Sequence, residues 1–444
     1  MSVITERSQK TYMLNMGPAH PAMHGVVRLV LELQGEKIVD VDCEIGYLHR
    51  AFEKHAESET WNNVVPWTDR LNYVSPLINN VGYAMAVEKL AGITIPERGE
   101  HIRVIASEIS RVTDHLTCVG ASAMELGAFT VFLYMIKARE YLYQLVDHLT
   151  GARITTAFTR VGGVKSDLPP DFAEKFHAAA KLIREAVADS DKLLTRNRIF
   201  MDRMEGTGII SKEDALAYAI TGPFLRSTGV AYDVRRAHPY SIYDRLDFEV
   251  PVGTTGDNYD RYLCRMAEIE QSLRLVEQCL KQIPDGKHSL EPKEIKYAYE
   301  IQDAGKFGDT ALLAKYAAKV DQTLAGMSRD DQPNTRVHDR TITFPAKATT
   351  YGSIERLMNH FELVMWSWGV KIPPSETYFA VEGGNGELGF HIVSDGGDGP
   401  YRVRCRPPCL YIMAALPKLL KGASIADIIP TFGSVNMIAG ELDR

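Results

Sequence analysis

The spacing of apolar residues changes character several times along the chain. Two short strand-like runs, Thr11–Asn15 and Val26–Leu33, flank a loop and predict a β-hairpin. From Gly82 to Leu90, and again from Ile102 to Leu149, the spacing is helical, with Ile105, Ile109, Val112 and Leu116 on one stripe. Thr150-Gly151 closes the second region with a glycine stop. Two more helical stretches meet at a strand-poor join, Gly206-Thr207-Gly208, and another amphipathic helix opens after Gly256-Asp257 and runs through Leu280. The carboxy-terminal part turns β-rich at Tyr378–Glu382, Leu388–Gly396 and Pro400–Val403. Between about 284 and 345 the chain is rich in Lys, Asp, Ala and Gln, with a helical Thr310–Ala325 and a loop-like Ser328–Asn334, and reads as an inserted surface segment, either solvated, the safer reading, or a docking surface.

Leu116–Ile136 is interrupted only by Glu125 and is nearly long enough to cross a bilayer. Its Thr, Cys, Gly, Ala and Ser content favours a helix buried in a large core, with Glu125 a buried carboxylate in its middle. Contact with a membrane is therefore expected to be peripheral. The amino terminus has no apolar h-region, so no secretory signal is expected. A formal charge of -7 over 444 residues argues against a nucleic-acid binder. The six cysteines are widely scattered, which suits a reducing compartment.

Candidate chemistry starts in the hairpin loop, Gly17-Pro18-Ala19-His20-Pro21-Ala22-Met23-His24-Gly25. Its prolines stiffen the backbone and Gly25 permits a turn directly after His24, so the loop can present an imidazole at a fixed place. Alone, it reads better as a stiff turn with incidental histidines. Gly384-Asn385-Gly386-Glu387-Leu388-Gly389 matches a dinucleotide fingerprint formally, but the residues after it are β-like rather than helical, so a nucleotide site is rejected. Cys405 is flanked by arginines, which would lower its pKa, but Cys405 and Cys409 have no second ligand pair and read as structural.

The loop and hairpin resemble the start of the 49 kDa-type, quinone-site D subunit of respiratory complex I, a relative of [NiFe]-hydrogenase large subunits. The likeness continues in Ile45-Gly46-Tyr47-Leu48-His49-Arg50, Asp69-Arg70-Leu71-Asn72-Tyr73, Arg160-Val161-Gly162-Gly163-Val164 with Asp167-Leu168-Pro169, Gly256–Arg265, and the terminal Gly440-Glu441-Leu442-Asp443-Arg444. It covers nearly the full length outside the insertion. It implies an α+β, predominantly helical fold over residues 1–444, with a long-helix core, a small amino-terminal sheet (hairpin region about 10–40) and a carboxy-terminal sheet. It also implies the quinone-reducing end of a proton-translocating NADH:quinone oxidoreductase, with His24 and Tyr73 at the quinone head group and Glu125 linked to His24. Arg50 and Thr155 would lie near an iron–sulfur cluster held by a neighbouring subunit. NADH would bind elsewhere in the complex, and no metal or iron–sulfur ligand would come from this chain. The partners would be the B, C and I subunits and the membrane-embedded H subunit. The chain would sit at the cytoplasmic side of a bacterial cell membrane. Equivalent subunits fed by ferredoxin share this pattern. A hydrogenase would need two Cys-x-x-Cys pairs, which are absent.

Three positions depart from the family pattern. Asn72 and Glu125 stand where the family usually has Asp, and Thr155 stands where relatives have a histidine beside the cluster. Without an imidazolium there, the reduced cluster loses an attraction, which implies a lower potential with weak pH dependence and favours menaquinone over ubiquinone.

Overall fold

The computed structural model describes residues 10–23, 25–290, 344–345, 350–352, 354–366 and 369–444. His24 and most of the segment read as an insertion, including Thr310–Ala325 and Ser328–Asn334, lie outside the described residues. The expected α+β, predominantly helical architecture is what the chain adopts. The amino-terminal sheet is an antiparallel meander of β1 (Tyr12–Met16), β2 (Arg28–Gln34) and β3 (Lys37–Glu44). In β2, Leu29, Leu31 and Leu33 point to one side and are fully buried, the period-two pattern that sets the register.

Short helices α1 (Phe52–Ala56) and α2 (Val65–Thr68) lead into the long-helix core: α3 (Pro76–Ala91), α4 (Glu97–Glu125) and α5 (Phe129–Thr150). Helix α4 begins with Glu97 and Glu100 in its first turn, where carboxylates favour the dipole, and α5 ends on Gly151 in the left-handed region, φ 78°. The apolar run 116–136 is not one buried helix. It breaks at Leu126-Gly127-Ala128, where Gly127 has φ 92°, and Glu125 is the last residue of α4, partly buried. Phe129 and Leu133 on the far side of the break are exposed, so the apolar run serves two helices with different faces. Among the described residues, no helix is long and apolar enough to cross a membrane.

A two-strand ribbon, β4 (Thr159–Arg160) with β5 (Gly163–Val164), precedes α6 (Phe172–Leu194), then α7 (Arg198–Met204), α8 (Lys212–Ala217), α9 (Gly222–Arg226) and α10 (Val234–Ala237). The next long helix, α11 (Asn258–Gln282), is capped by the Asp257 side chain, which accepts from Asp260 N at 2.8 Å. After α12 (Ile354–Val364) comes the antiparallel carboxy-terminal sheet, β6 (Ser375–Glu382), β7 (Glu387–Ser394) and β8 (Arg402–Arg406). The Gly-x-Gly-x-x-Gly stretch forms the β6–β7 hairpin turn and the start of β7, not a strand-to-helix loop. The chain closes with α13 (Pro408–Leu420), α14 (Ile428–Val435) and α15 (Ala439–Asp443).

Two apolar cores result among the described residues. One joins α3, α4, α5, α6 and α11 with the inner face of β6–β8. The other packs the amino-terminal sheet against α13 and α14. The seam between them is where the carboxy-terminal turn and the Trp67–Ser75 segment meet.

Candidate functional site

Residues 67–75 bring the separate sequence candidates together. Trp67 O accepts from Arg50 Nη2 at 3.4 Å, and the Trp67 ring stacks on His55 with centroids 4.5 Å apart. Burial, then the neighbouring Arg70, push the Arg50 guanidinium down from its usual range. Two residues on, Asp69 accepts from Ala157 N at 2.9 Å, which ties down the loop that carries exposed Thr155. Asp69 is buried, and burial raises its carboxyl to about 6 despite the Ala157 amide, Asn80, Arg70 and Thr156. Arg50 and the Thr155 loop are thus anchored to one turn.

At the far end of this segment, Tyr73 is half-buried against the carboxy-terminal turn. A Cβ on Gly440 would lie 2.3 Å from Arg70 O, 2.7 Å from Leu71 O and 3.2 Å from the Tyr73 ring, so this contact requires glycine. Burial and the nearby Cys409 raise the Tyr73 hydroxyl above its ordinary value, and the Ala439 amide opposes them only in part. The phenol therefore keeps its proton. Gly25, directly after His24, packs on the same turn: a Cβ there would sit 3.0 Å from Met437 Cε and 3.3 Å from Ala439 Cβ.

Beneath the turn lies a buried polar cluster. Asp114 of α4 accepts from Asn72 Nδ2 at 3.0 Å, Ser75 Oγ at 3.3 Å and Asn436 Nδ2 at 3.0 Å. An aspartate at 72 would put two carboxylates within hydrogen-bond distance, so asparagine there removes a shared-proton pair. Asn436 Nδ2 also donates to Asn385 Oδ1 at 2.7 Å, and Asn385 Nδ2 donates to Asn436 O at 3.1 Å and Cys409 Sγ at 3.3 Å. Glu441 accepts from Cys409 N at 3.0 Å.

Glu125 meets the carboxy-terminal segment higher up. A Cβ on Gly433 of α14 would lie 3.4 Å from Glu125 Oε2, and the adjacent Ser122 Oγ donates to Gly433 O at 3.0 Å. Glu125 thus faces the segment at Gly433, while Tyr73 faces it at Ala439 and Gly440. Cys405 departs from expectation: burial drives its thiol up, outweighing Arg406 and Arg444, and its amide donates to Glu53 Oε1 at 3.0 Å. Among the described residues no cluster of His, Cys, Asp and Glu converges as metal ligands would.

An ionic network holds the site's floor. Arg111 Nη1 and Nη2 each donate at 2.7 Å, to Gly383 O and Glu382 O, which pins the β6–β7 turn beside Asp114. A Cβ on Gly384 would fall 1.8 Å from Asp114 Oδ2, so the turn can approach only because it is glycine. Glu108, Arg235, Asp233, Arg226, Glu268, Glu382 and His115 complete the network with almost no exposure.

Residues 125–444 match the family described as respiratory-chain NADH dehydrogenase, 49 Kd subunit. The chain belongs to that family. It is 48% identical over 432 residues to a D subunit of NADH-quinone oxidoreductase from Sorangium cellulosum, covering 97% of this chain and 95% of that one. It is 45% identical to the NADH-quinone oxidoreductase D subunit of Myxococcus xanthus, covering 98% and 93%. A Bdellovibrio bacteriovorus relative, named as a combined C/D subunit of the same enzyme, is 44% identical over 97% of this chain and 68% of that longer one. Asp69, Asp114, Cys409 and Glu441 are buried beside the sequence candidates, and no sequence motif marked them by chemistry. Glu441 stood in the terminal motif, but nothing in a linear sequence marks it as buried.

Proposed function

We propose that this chain is the quinone-binding subunit of a proton-translocating NADH:quinone oxidoreductase, with the head group between the His24 loop and Tyr73. As a member of its family, the chain is a subunit of an oxidoreductase complex. The observation that carries the finer reading is the meeting of Gly25 and Tyr73 on the Met437–Gly440 turn. Reducing a quinone to a quinol takes two electrons and two protons, so donors must reach both oxygens. A phenol that holds its proton at Tyr73 supports one donor, and the His24 imidazole is proposed as the other. Electrons would come from an iron–sulfur cluster in an adjacent subunit, on the Arg50 and Thr155 side of the Trp67–Ser75 segment. The B, C, I and H subunits are the proposed partners, and the C/D name of the Bdellovibrio relative supports the C partner. The chain would lie peripherally on the cytoplasmic side of the membrane, with NADH bound elsewhere in the complex.

Glu125 tests the His24 side of the site. Glu125→Gln in the assembled complex is expected to slow quinone turnover about tenfold or more. Glu125→Asp restores the usual family residue and is expected to be tolerated. Full quinone reductase activity in Glu125→Gln would remove this carboxyl from the mechanism.

Thr155 tests the electron-entry side. Redox titration of the cluster's EPR signal is expected to give a midpoint nearly constant between pH 6 and 8. Thr155→His is expected to raise the midpoint and make it fall with rising pH, towards about 59 mV per unit for one proton per electron. A steep fall already present in the unmodified enzyme would defeat this assignment. Menaquinone is the acceptor this low potential suits, and extraction of ubiquinone alone from the complex would refute that choice.

A further inference from the structure

The cluster under Tyr73 contains a carboxyl that the quinone reading leaves unused. Glu441 has 2% of its surface exposed and lies on the same short helix whose first residue, Ala439, meets Tyr73. The groups that face it are Cys409 from α13, Asn385 from the β6–β7 turn and Asp114 from α4, with Cys405 of β8 also within its influence. No cation is among its principal neighbours, so burial and Asp114 raise its carboxyl to about 7 against the opposing Cys409 and Asn385 contacts. Asp114 is held by two amides and a hydroxyl, none of which exchanges a proton at neutral pH. Cys409 is fully buried, its amide donates to Glu441 Oε1 at 3.0 Å, and its thiol accepts from Asn385 Nδ2 at 3.3 Å and donates to Asn436 O at 3.7 Å.

We infer that Glu441, the residue after the Gly440 that packs on the Tyr73 ring, is a proton store behind Tyr73. The inference rests on the proposed quinone site. The complex supplies two electrons to the quinone, and the Tyr73 O–H bond breaks as its proton bonds to the quinone oxygen. The Glu441 O–H bond then breaks and its proton passes to the Tyr73 oxygen. The tyrosine is regenerated and Glu441 is left as a carboxylate. Transfer from a carboxyl near 7 to a phenol held above its ordinary value is downhill. The carboxylate left beside Asp114 is unfavourable, which drives its reprotonation before the next turnover.

The test uses the intact complex with Glu441→Gln, Glu441→Asp and Tyr73→Phe. Infrared spectra of the resting enzyme are expected to show a protonated-carboxyl band that titrates near pH 7 and is missing in Glu441→Gln. Glu441→Gln is expected to slow quinone reduction about tenfold and to flatten its pH profile around 7. NADH oxidation with ferricyanide should be unchanged, and Glu441→Asp should recover most of the rate. Absence of the titrating band in the unmodified enzyme overturns the inference even if Glu441→Gln fails to assemble. Wild-type rate and pH profile in Glu441→Gln, with Tyr73→Phe impaired, overturn the proton store alone. Full quinone reduction in Tyr73→Phe instead overturns the quinone-site reading beneath it.

Discussion

Tyr73→Phe is expected to lower quinone reduction by the assembled complex about 100-fold or more. The ring stays against Gly440, and only the hydroxyl is lost. Its structural cost is that of one hydrogen bond, about 1 kcal/mol, too little to prevent assembly. The loss should appear in turnover with a water-soluble quinone, because the donated proton is needed as charge develops on the quinone oxygen. NADH oxidation by an artificial acceptor upstream should stay near normal, which separates a chemical defect from a missing subunit. Equal loss of both activities would mean that the complex had not formed. Full retention of quinone reduction would mean that the phenol is a core tyrosine and not a proton donor.

The largest effect on stability is expected at Arg226. Its Nη2 lies 2.6 Å from Glu268 Oε1 and its Nη1 lies 2.8 Å from Glu382 Oε1, with all three side chains out of solvent. Burial would raise the Glu268 carboxyl, but Arg226 and His115 outweigh it and hold Glu268 below the ordinary carboxylate range. Glu382, crowded by Asp233, is pushed up by burial in spite of the same guanidinium. Arg226→Met leaves two buried carboxylates short of their cation and is expected to cost about 3–5 kcal/mol. The pH dependence has a definite sign. With the cation gone, the folded-state pKa of both acids rises above the unfolded value. The variant then loses stability as pH rises from about 4.5 through neutrality, and part of the deficit disappears in acid. Denaturation midpoints of variant and parent across pH 5–8 should diverge upward in pH, and a constant gap would refute the ionic account.

Much of the fold was legible because local periodicity and local chemistry agree. The β1–β2 hairpin, the Gly151 stop, the Asp257 cap and the β6–β7 hairpin all rest on neighbours in sequence, so they can be found from the sequence alone. Leu116–Ile136 was not legible in this way, because its apolar content is continuous but its direction is not. Gly127 breaks the helix, and the apolar residues Phe129 and Leu133 beyond it face outward. At Cys405 the flanking arginines suggested a lowered pKa, whereas burial, which no flanking residue reveals, dominates.

The sequence by itself determined the family, the order of the elements and the residue types available for proton transfer, since each is written in contiguous motifs. It did not determine which of those residues share an environment. Tyr73 meets Ala439 and Gly440, and Asp114 meets Asn72 and Asn436, because two separate apolar cores close along one seam. Burial at that seam is what keeps a proton on Tyr73 and raises Glu441 towards neutrality. Burial is a sum over neighbours drawn from the whole chain, so only the tertiary structure decides it.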